Sequence, residues 1–346
     1  MILNSDGIFC RRVLALVLAS VALCACGSGA SRGQVKETPP AKQVKKRSGD
    51  GPPRDAPRAP FGPPARVATI QDPAVDESSG LAASRRQPGL FWTHNDAGDG
   101  PFIYAVGGAG AKRGTWRVAG ARHDDWEDIA AGPGPQPGRT YLYVGDIGDN
   151  PIKRANITVY RVAEPTPAPE DASSTTFEPR QTEPAEAIVL RYPDGPHDAE
   201  ALAVHPRTGD IYVITKEAEG PAGVYKAAAQ TASAQASPSG ATMERVGQVS
   251  APGVFPGMFT GADISPDGRR VVLCDYIAAY ELSLGADARA PFDDVWKQTP
   301  LAFDLGKRKQ GEAVCYGANG ESVFATSEDT PGQLIEVRRQ ARAGGP

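Results

Sequence analysis

The stretch Thr260-Gly-Ala-Asp-Ile-Ser-Pro-Asp-Gly-Arg-Arg-Val-Val-Leu-Cys274 has the pattern of a short strand, a Gly-containing hairpin turn and a second strand. Related stretches begin at four other places in the chain of 346 residues, at Glu77, Trp126, Ala199 and Gly311. A third strand follows each copy and carries a Tyr in four of them: Tyr104, Tyr160, Tyr225 and Tyr280. Such repetition indicates a repeat architecture, in which each unit buries its apolar face against its neighbours.

The spacing of the repeats predicts their type. Apolar residues at equivalent positions are separated by steps of 48, 73, 62 and 50 residues; they are Leu81, Ile129, Leu202, Ile264 and Val314. The short steps match the roughly 40 to 50 residues of a four-stranded propeller blade. The long steps contain a Pro/Ser/Thr-rich excursion at 165–184 and an Ala/Ser/Gln-rich loop at 230–240. We therefore predict an all-β chain with a β-propeller over residues 66–340, in which 67–70 complete the last of five four-stranded blades.

The N-terminus has the features of an export signal. Arg11 and Arg12 precede an apolar run from Val13 to Leu23, which is too short for a comfortable transmembrane helix. The end of this run, Leu23-Cys-Ala-Cys26, resembles the lipobox of bacterial lipoproteins. That resemblance implies a signal peptide over 1–25, lipidation of Cys26 and attachment of the exported protein to the cell envelope. An ordinary secretory signal that is cut nearby is the alternative.

A tether and a tail flank the predicted propeller. Residues 26–65 are rich in Pro, Gly, Ser and Lys and lack an apolar pattern, which predicts disorder, and 341–346 form a short disordered tail. The tether carries a net charge of +5, whereas residues 66–346 carry 27 basic and 37 acidic residues, a balance of −10. An acidic domain argues against nucleic acid as a partner. The expected partners are the membrane, through Cys26, and an unknown protein or small molecule.

Two cysteines belong to the predicted propeller. Cys274 and Cys315 lie in predicted strands of the last two repeats. An oxidising compartment would permit a disulfide between them, but two buried free thiols are equally compatible with the sequence, because bridging requires Cα atoms within about 7 Å.

A series of acidic residues precedes the repeated apolar positions. Glu127, Glu200 and Glu312 lie two residues ahead of them, and Glu77 lies four residues ahead. If these positions belong to the innermost strands, the carboxylates gather where the strands enter the central channel. Crowded carboxylates require a cation, bound water or raised pKa values, and oxygen-rich clusters suit hard cations such as Ca²⁺. A structural role in blade-to-blade hydrogen bonds is the alternative.

Two similar loops and three histidines are further candidates. The loops Asn95-Asp96-Ala-Gly-Asp99-Gly100 and Gly145-Asp146-Ile-Gly-Asp149-Asn150 each space two Asp residues around a Gly, so that their oxygens could bind Ca²⁺, although Asp-Gly turns also occur as simple turns. The histidines adjoin acidic motifs at predicted blade ends and are candidate general bases or metal ligands, or simply exposed loop residues: His94, His123 and His197.

Three stretches carry a resemblance: Glu77-Ser-Ser-Gly-Leu-Ala82, Asp198-Ala-Glu-Ala-Leu-Ala203 and residues 260–269. They resemble blade starts of bacterial secreted propellers, and the chain is similar to the broad group that contains gluconolactonase-like, NHL-repeat and phytase-like propellers. Those groups usually have six blades, which makes six the alternative count. The gluconolactonase-like resemblance implies a metal at the channel mouth, with Glu77 matching its first-strand Glu.

Two functions follow from these features. No Gly-x-Ser-x-Gly elbow, Walker loop or His-Glu-x-x-His motif occurs in the predicted domain. We therefore expect an extracytoplasmic, lipid-anchored binding module for a protein or small ligand. The alternative is a metal-dependent hydrolase of a lactone or phosphoester at the channel mouth, since metal-bound water requires only oxygen ligands and a base.

Overall fold

The computed structural model describes residues 60–96, 98–230, 240–252, 256–285, 289–328 and 330–340. All of them belong to one compact unit of the chain, residues 48–346. The other unit, 1–47, lies outside the described residues, as do Cys26 with the predicted signal peptide, most of the predicted tether and the predicted tail. Within the described part of the chain, no helix has the length and apolar character required to span a membrane.

The described residues form strands and two short 3-10 helices, Pro169–Ser173 and Phe292–Lys297. In chain order, the first strands are β1 (Ala65–Thr69), β2 (Ser78–Ala83), β3 (Leu90–Asn95), β4 (Phe102–Gly107), β5 (Lys112–Arg117), β6 (Trp126–Pro133), β7 (Thr140–Asp146), β8 (Ile157–Ala163), β9 (Arg180–Gln181), β10 (Glu186–Arg191) and β11 (Ala199–Val204). The remaining strands are β12 (Ile211–Thr215), β13 (Ala222–Ala227), β14 (Ala241–Thr242), β15 (Glu244–Val249), β16 (Gly261–Ile264), β17 (Arg270–Cys274), β18 (Ala278–Ser283), β19 (Leu301–Asp304), β20 (Gly311–Tyr316), β21 (Ser322–Ser327) and β22 (Gln333–Arg338).

Five antiparallel four-stranded blades confirm the predicted propeller. From the inside outward they are β2-β3-β4-β5, β6-β7-β8-β10, β11-β12-β13-β15, β16-β17-β18-β19 and β20-β21-β22-β1, which we number blades 1 to 5. The two-residue strands β9 and β14 add a parallel outer edge to blades 1 and 2. Strand β1 pairs with β22, so the first strand of the chain completes the last blade, as predicted. This pairing covers the edge that β22 would otherwise expose.

The cores lie between the blades. Each inner strand contacts the inner strands of the two neighbouring blades, and the contacts between β2 and β20 close the ring. Apolar side chains of adjacent blades pack into five clusters, including one between blades 1 and 2 that contains Trp92 and Ile129, and one between blades 5 and 1 that contains Phe324 and Leu81. Successive residues of each strand therefore pack against the blades on its two sides, which explains why nearly every inner-strand residue is buried.

The repeated Tyr has a recurring structural role. In blades 1, 3 and 4 the third-strand Tyr donates a hydrogen bond to an Asp in a loop at the blade end. The pairs are Tyr104 with Asp99 at 2.5 Å, Tyr225 with Asp194 at 2.8 Å and Tyr280 with Asp275 at 2.8 Å. These bonds fix the loops to the rigid strands that carry the tyrosines.

A Cys274–Cys315 disulfide is not present, and both thiols are free and buried. Cys274 packs with Val314 between blades 4 and 5, and its thiol lies 3.2 Å from the carbonyl oxygen of Glu312. Cys315 packs with Leu81 between blades 5 and 1. Successive side chains of a strand point to opposite faces, so Val314 and Cys315 lie on different sides of blade 5. The two thiols therefore belong to separate cores, which corrects the disulfide alternative.

Ordered structure begins before residue 66. Phe61 stacks on Phe303 with ring centroids 4.2 Å apart, and the Gly62 amide donates to the carbonyl oxygen of Arg338 at 2.8 Å. Residues at the end of the predicted tether thus already pack against blades 4 and 5.

Candidate functional site

A β-bulge occurs at the same position of four inner strands. The strand pairing skips one residue between Trp126 and Asp128, and it skips the equivalent residue in blades 1, 3 and 5. The skipped residues are Ser79, Glu127, Glu200 and Glu312, and all four are buried. A bulge re-aims the side chain of the extra residue. Three of the predicted carboxylates thereby occupy equivalent places around the ring, and blade 4 has Ala262 without a bulge.

Asp96, Asp125 and Glu127 form the tightest acidic group. Their ligand oxygens all lie within 4.8 Å of one another, and within the described ranges no other group of His, Cys, Asp and Glu meets this criterion. The three residues come from the loop after β3, the segment before β6 and the bulge of β6. Gly148 lies against Glu127 and Asp125, where a Cβ atom would overlap both carboxylates. The loop after β7 therefore packs its backbone directly on this group.

The surroundings of this group disfavour the ionisation of all its carboxylates at once. Burial, followed by repulsion from Asp96 and Asp198, raises the pKa of Asp125 to about 6. Burial and repulsion from Glu200 raise the pKa of Glu127 well above its ordinary value. A cation between the oxygens would reverse these shifts, because it favours the ionised form.

Further carboxylates surround this group. Burial and then repulsion from neighbouring acids raise the pKa values of Glu77, Glu312 and Glu328, and the charges involved include Asp96 in each case. Gln310 donates to Glu312 at 2.9 Å. We call this end of the channel the acidic mouth and define it by the residues Glu77, Asp96, Asp125, Glu127, Asp198, Glu200, Glu312 and Glu328.

One lysine is built into the acidic mouth. Lys216 follows β12, forms an ion pair with Glu200 and lies 2.9 Å from the hydroxyl of Tyr276. Burial alone would lower the pKa of Lys216, but attraction to Glu200 raises it overall. Lys216 therefore supplies a fixed positive charge to the blade 3 side of the mouth. Glu200 differs in this respect from Glu127, whose neighbours Asp96 and Asp125 are also acidic.

The Asp residues of the two Asp-Gly loops have different roles. In the first loop Asp96 joins the acidic group, whereas Asp99 accepts hydrogen bonds from Asn95 and Tyr104. In the second loop Asp146 forms an ion pair with Arg154 at 2.6 Å. Asp149 accepts the backbone amides of Lys153 and Arg154 at 2.7 and 2.6 Å, and Asn150 is exposed. Asp146 and Asp149 thus organise their own loop, and Asp99 organises the first.

The histidines do not share one exposed face. His94 is fully buried beside Trp126, with Nδ1 2.9 Å from the carbonyl oxygen of Asn95, and burial lowers its pKa to about 4. The expectation of an exposed loop residue is therefore wrong for His94, because its ring fills the space between blades 1 and 2. His123 packs on Trp126 with ring centroids 4.9 Å apart. His197 lies 3.0 Å from Asp194, outside the acidic group of Asp96.

Comparisons with known proteins assign no family to the chain. A scan against protein-family models finds no match, and a search of curated proteins finds none. Among solved structures, the chain is similar to the apo form of the soluble aldose sugar dehydrogenase from Escherichia coli, at 10% sequence identity and a TM-score of 0.43. The alignment covers 80% of this chain and 99% of that chain. The five blades place the chain in the broad propeller group, and no single family is assigned.

Two buried carboxylates that link blades were not among the residues predicted from the sequence. Asp128 accepts the amides of Ile129, Leu202 and Ala262 at 2.8, 2.9 and 3.1 Å, so one side chain links blades 2, 3 and 4. Asp263 accepts the amide of Tyr316 at 2.8 Å and links blades 4 and 5. Both residues directly precede a repeated apolar residue, and this shared position is the feature of the sequence that could have indicated their role. Both residues lie outside the predicted acidic series, directly beside its positions in the inner strands.

Proposed function

We propose that the protein is a cation-binding propeller module, whose acidic mouth holds a divalent ion such as Ca²⁺ through Asp96, Asp125 and Glu127. The close approach of these three carboxylates carries the proposal. Ca²⁺ binds oxygens at about 2.3–2.6 Å, so two oxygens on opposite sides of one ion are about 4.6–5.2 Å apart. Oxygens that all lie within 4.8 Å of one another are close enough to bind a single ion. Three ligands leave further positions for water or for an oxygen of a bound molecule.

The charges around the group support a cation rather than an anion. Asp125 and Glu127 have raised pKa values because burial and neighbouring acids oppose their ionisation. Lys216 is already paired with Glu200 on the blade 3 side. The second Asp-Gly loop is a less suitable ligand set, since Asp146 is paired with Arg154 and one oxygen of Asp149 already accepts two backbone amides.

A metal-dependent hydrolase of a lactone or phosphoester is the second candidate function. One observation favours it: three carboxylate ligands would leave positions on the ion for a water molecule, which a general base could activate for hydrolysis. His94, His123 and His197 are less suited to this task, because they are engaged in a core, an aromatic contact and an Asp contact. Turnover of simple lactones or p-nitrophenyl phosphate that depends on Ca²⁺ and on Asp125 would favour the hydrolase. Ca²⁺ binding without turnover would favour the module.

We also propose that the module is exported and anchored to the cell envelope through Cys26. The proposal rests on the charged, apolar and Leu-x-Ala-Cys segments of the first 26 residues. A Cys26→Ser protein should leave the membrane fraction and lose its lipid. A Cys26→Ser protein that stays in the membrane fraction with its lipid attached would contradict the anchor.

Calorimetric titration tests the cation site directly. We expect the full-length protein, stripped with EDTA, to bind one Ca²⁺ ion, and a variant that combines Asp96→Asn, Asp125→Asn and Glu127→Gln to show no binding. A matched control neutralises three exposed acidic residues outside the mouth, Glu170→Gln, Glu183→Gln and Glu321→Gln, and should retain the wild-type affinity. Equal loss of binding in both triple variants would indicate a general charge effect and would refute the site.

A further inference from the structure

A pocket lies between blades 2 and 3, at the end of these blades opposite the acidic mouth. Glu127 of the mouth lies near the start of β6, whereas Pro133, which ends that strand, belongs to the pocket. The pocket has a volume of about 290 Å³, which matches the smallest ligand pockets of proteins, of about 300 Å³. Its walls include Pro133, Pro135, Tyr143, Arg161, Arg207 and Thr208.

Contacts between the two blades fix the walls of this pocket. Gly209, in the hairpin between β11 and β12, packs on blade 2, so that a Cβ atom there would lie 3.6 Å from Cγ of Pro133. The same atom would lie 3.5 Å from the Cβ of Ala229, which also lines the pocket. The Tyr143 hydroxyl donates to the carbonyl oxygen of Pro133. The pocket is therefore preformed, which reduces the entropy lost when a ligand binds.

Two arginines from different blades line the pocket. Arg161, in β8, is 7% exposed, and its Cζ lies 5.9 Å from the centroid of the Tyr143 ring. Arg207 is exposed, and its Nη2 donates to the carbonyl oxygen of Asp267, which fixes the guanidinium group. Within the described residues, Nε and Nη1 of Arg207 have no hydrogen-bond acceptor. Arg207 therefore retains donors for a further partner.

The walls of the pocket carry positive charge only. None of the described residues that line it is acidic. Glu186, outside the walls, pairs with Arg161 and accepts from its Nε at 2.9 Å. Asp210 accepts the Thr208 hydroxyl at 2.8 Å and the Ala229 amide at 3.0 Å. Such a pocket contrasts with the net charge of −10 on residues 66–346, and its charge favours an anion.

We propose that this pocket binds a small organic anion. The planar guanidinium group of Arg207 matches the geometry of a carboxylate or a phosphate ester, and Arg161 adds a second positive charge on the blade 2 side. The prolines and the Tyr143 ring offer apolar surface to the hydrocarbon part of the ligand, which favours an organic anion over an inorganic ion. The site is independent of the acidic mouth and of the proposed cation.

Calorimetric titration of the full-length protein in EDTA tests the proposal. The probes are phenyl phosphate and benzoate, with benzyl alcohol and inorganic phosphate as the neutral and the inorganic comparison. We expect the better of the two aromatic anions to bind at least about tenfold more tightly than either comparison compound. Its identity shows whether the pocket prefers a phosphate ester or a carboxylate.

Two variants locate this binding. Arg207→Gln, which changes an exposed side chain, should weaken the binding of the preferred anion by at least about tenfold. Ala229→Trp should also abolish binding, because the larger side chain fills the pocket without changing its charge. Arg113→Gln removes an exposed arginine elsewhere and is the matched control, which should bind like the wild type. The carboxylate triple variant of the mouth should bind the anion normally, which separates this proposal from the cation site.

Several results would overturn the anion pocket. They are the absence of binding by both aromatic anions, an unchanged affinity in Arg207→Gln, and equal losses in Arg207→Gln and Arg113→Gln. Equal affinities for inorganic phosphate and phenyl phosphate would contradict an organic ligand. Arg207-dependent binding to phosphatidylglycerol vesicles, without binding of the free anions, would assign the arginines to a membrane surface instead.

Discussion

Replacing Glu127 with Gln should stabilise the metal-free protein while weakening its response to Ca²⁺. Glu127 is 6% exposed, and its ligand oxygen lies within 4.8 Å of those of Asp96 and Asp125. Two unit charges at 4.8 Å repel each other by about 3.5 kcal/mol at an effective dielectric constant of about 20, and by about 0.9 kcal/mol in water. Gln keeps the shape of the side chain, removes the charge and can donate hydrogen bonds to the remaining carboxylates.

The expected gain in the free energy of unfolding lies between these two repulsion energies. Because Glu127 repels two neighbours and part of the repulsion is already relieved by protonation, we expect a stabilisation of about 2 kcal/mol at pH 8 in EDTA. For a domain of about 275 residues, that corresponds to a rise in Tm of roughly 3–4 °C. Saturating Ca²⁺ at about 100 times its Kd should stabilise the wild type by about 2.7 kcal/mol, and Glu127→Gln by much less.

Differential scanning calorimetry of both proteins, with EDTA and with Ca²⁺, measures the two effects. Glu183→Gln is a suitable control, because this Glu is exposed and paired with Arg139 outside the mouth. An unchanged or lower Tm for Glu127→Gln in EDTA would show that the carboxylates do not repel each other as described. A full Ca²⁺ response in this variant would show that Glu127 is not a ligand.

Three further predictions concern Asp125, Asp128 and Ile152. The pKa of Asp125 is raised to about 6, so in the metal-free protein its contribution to stability is present below about pH 4 and is lost as the pH rises through 6. Ca²⁺ competes with this proton, and calorimetry should show an affinity about tenfold lower at pH 5 than at pH 7; a pH-independent affinity would argue against Asp125 as a ligand. Asp128→Ala should lower the free energy of unfolding by about 3 kcal/mol or more, as judged by urea titration, because three buried amides lose their acceptor. A cost below about 1 kcal/mol would contradict its role as a link between blades. Ile152→Asn should raise the stability by about 1 kcal/mol in the same assay, since Ile152 has a φ of 51° and Asn tolerates this left-handed region better than a β-branched residue; a loss of stability would mean that Ile152 supports the fold.

The repeat made the fold predictable from the sequence. Each copy specifies strands through alternating β-branched and aromatic residues, and its turns through Gly and Asn, so local chemistry predicted the three inner strands of every blade. Even the closure of blade 5 by β1 followed, because a ring of sheets has no other way to cover its last edge. These features depend on neighbours that are close in sequence or that recur at a fixed spacing.

The candidate site was only partly predictable, because it depends on contacts between blades. The sequence placed Asp96 and Glu127 in different groups, the first in an Asp-Gly loop and the second in the acidic series, whereas the structure joins them through Asp125. The pairing of Lys216 with Glu200 across a hairpin leaves no local pattern. The position of Asp128 directly before a repeated apolar residue is visible in the sequence, but it does not show that the side chain links blades 3 and 4. The burial of His94 likewise follows from packing between two blades and not from its acidic neighbours in the sequence.

Anomalous diffraction from crystals grown in EDTA and then soaked in Mn²⁺ would test the central claim most directly, because Mn²⁺ takes oxygen ligands and can be located without assumptions about the site. We expect one strong peak in the acidic mouth, about 2.1–2.6 Å from oxygens of Asp96, Asp125 and Glu127, and no peak there in the triple variant. A wild-type mouth without a peak, or a peak bound instead by Asp146 and Asp149, would contradict it.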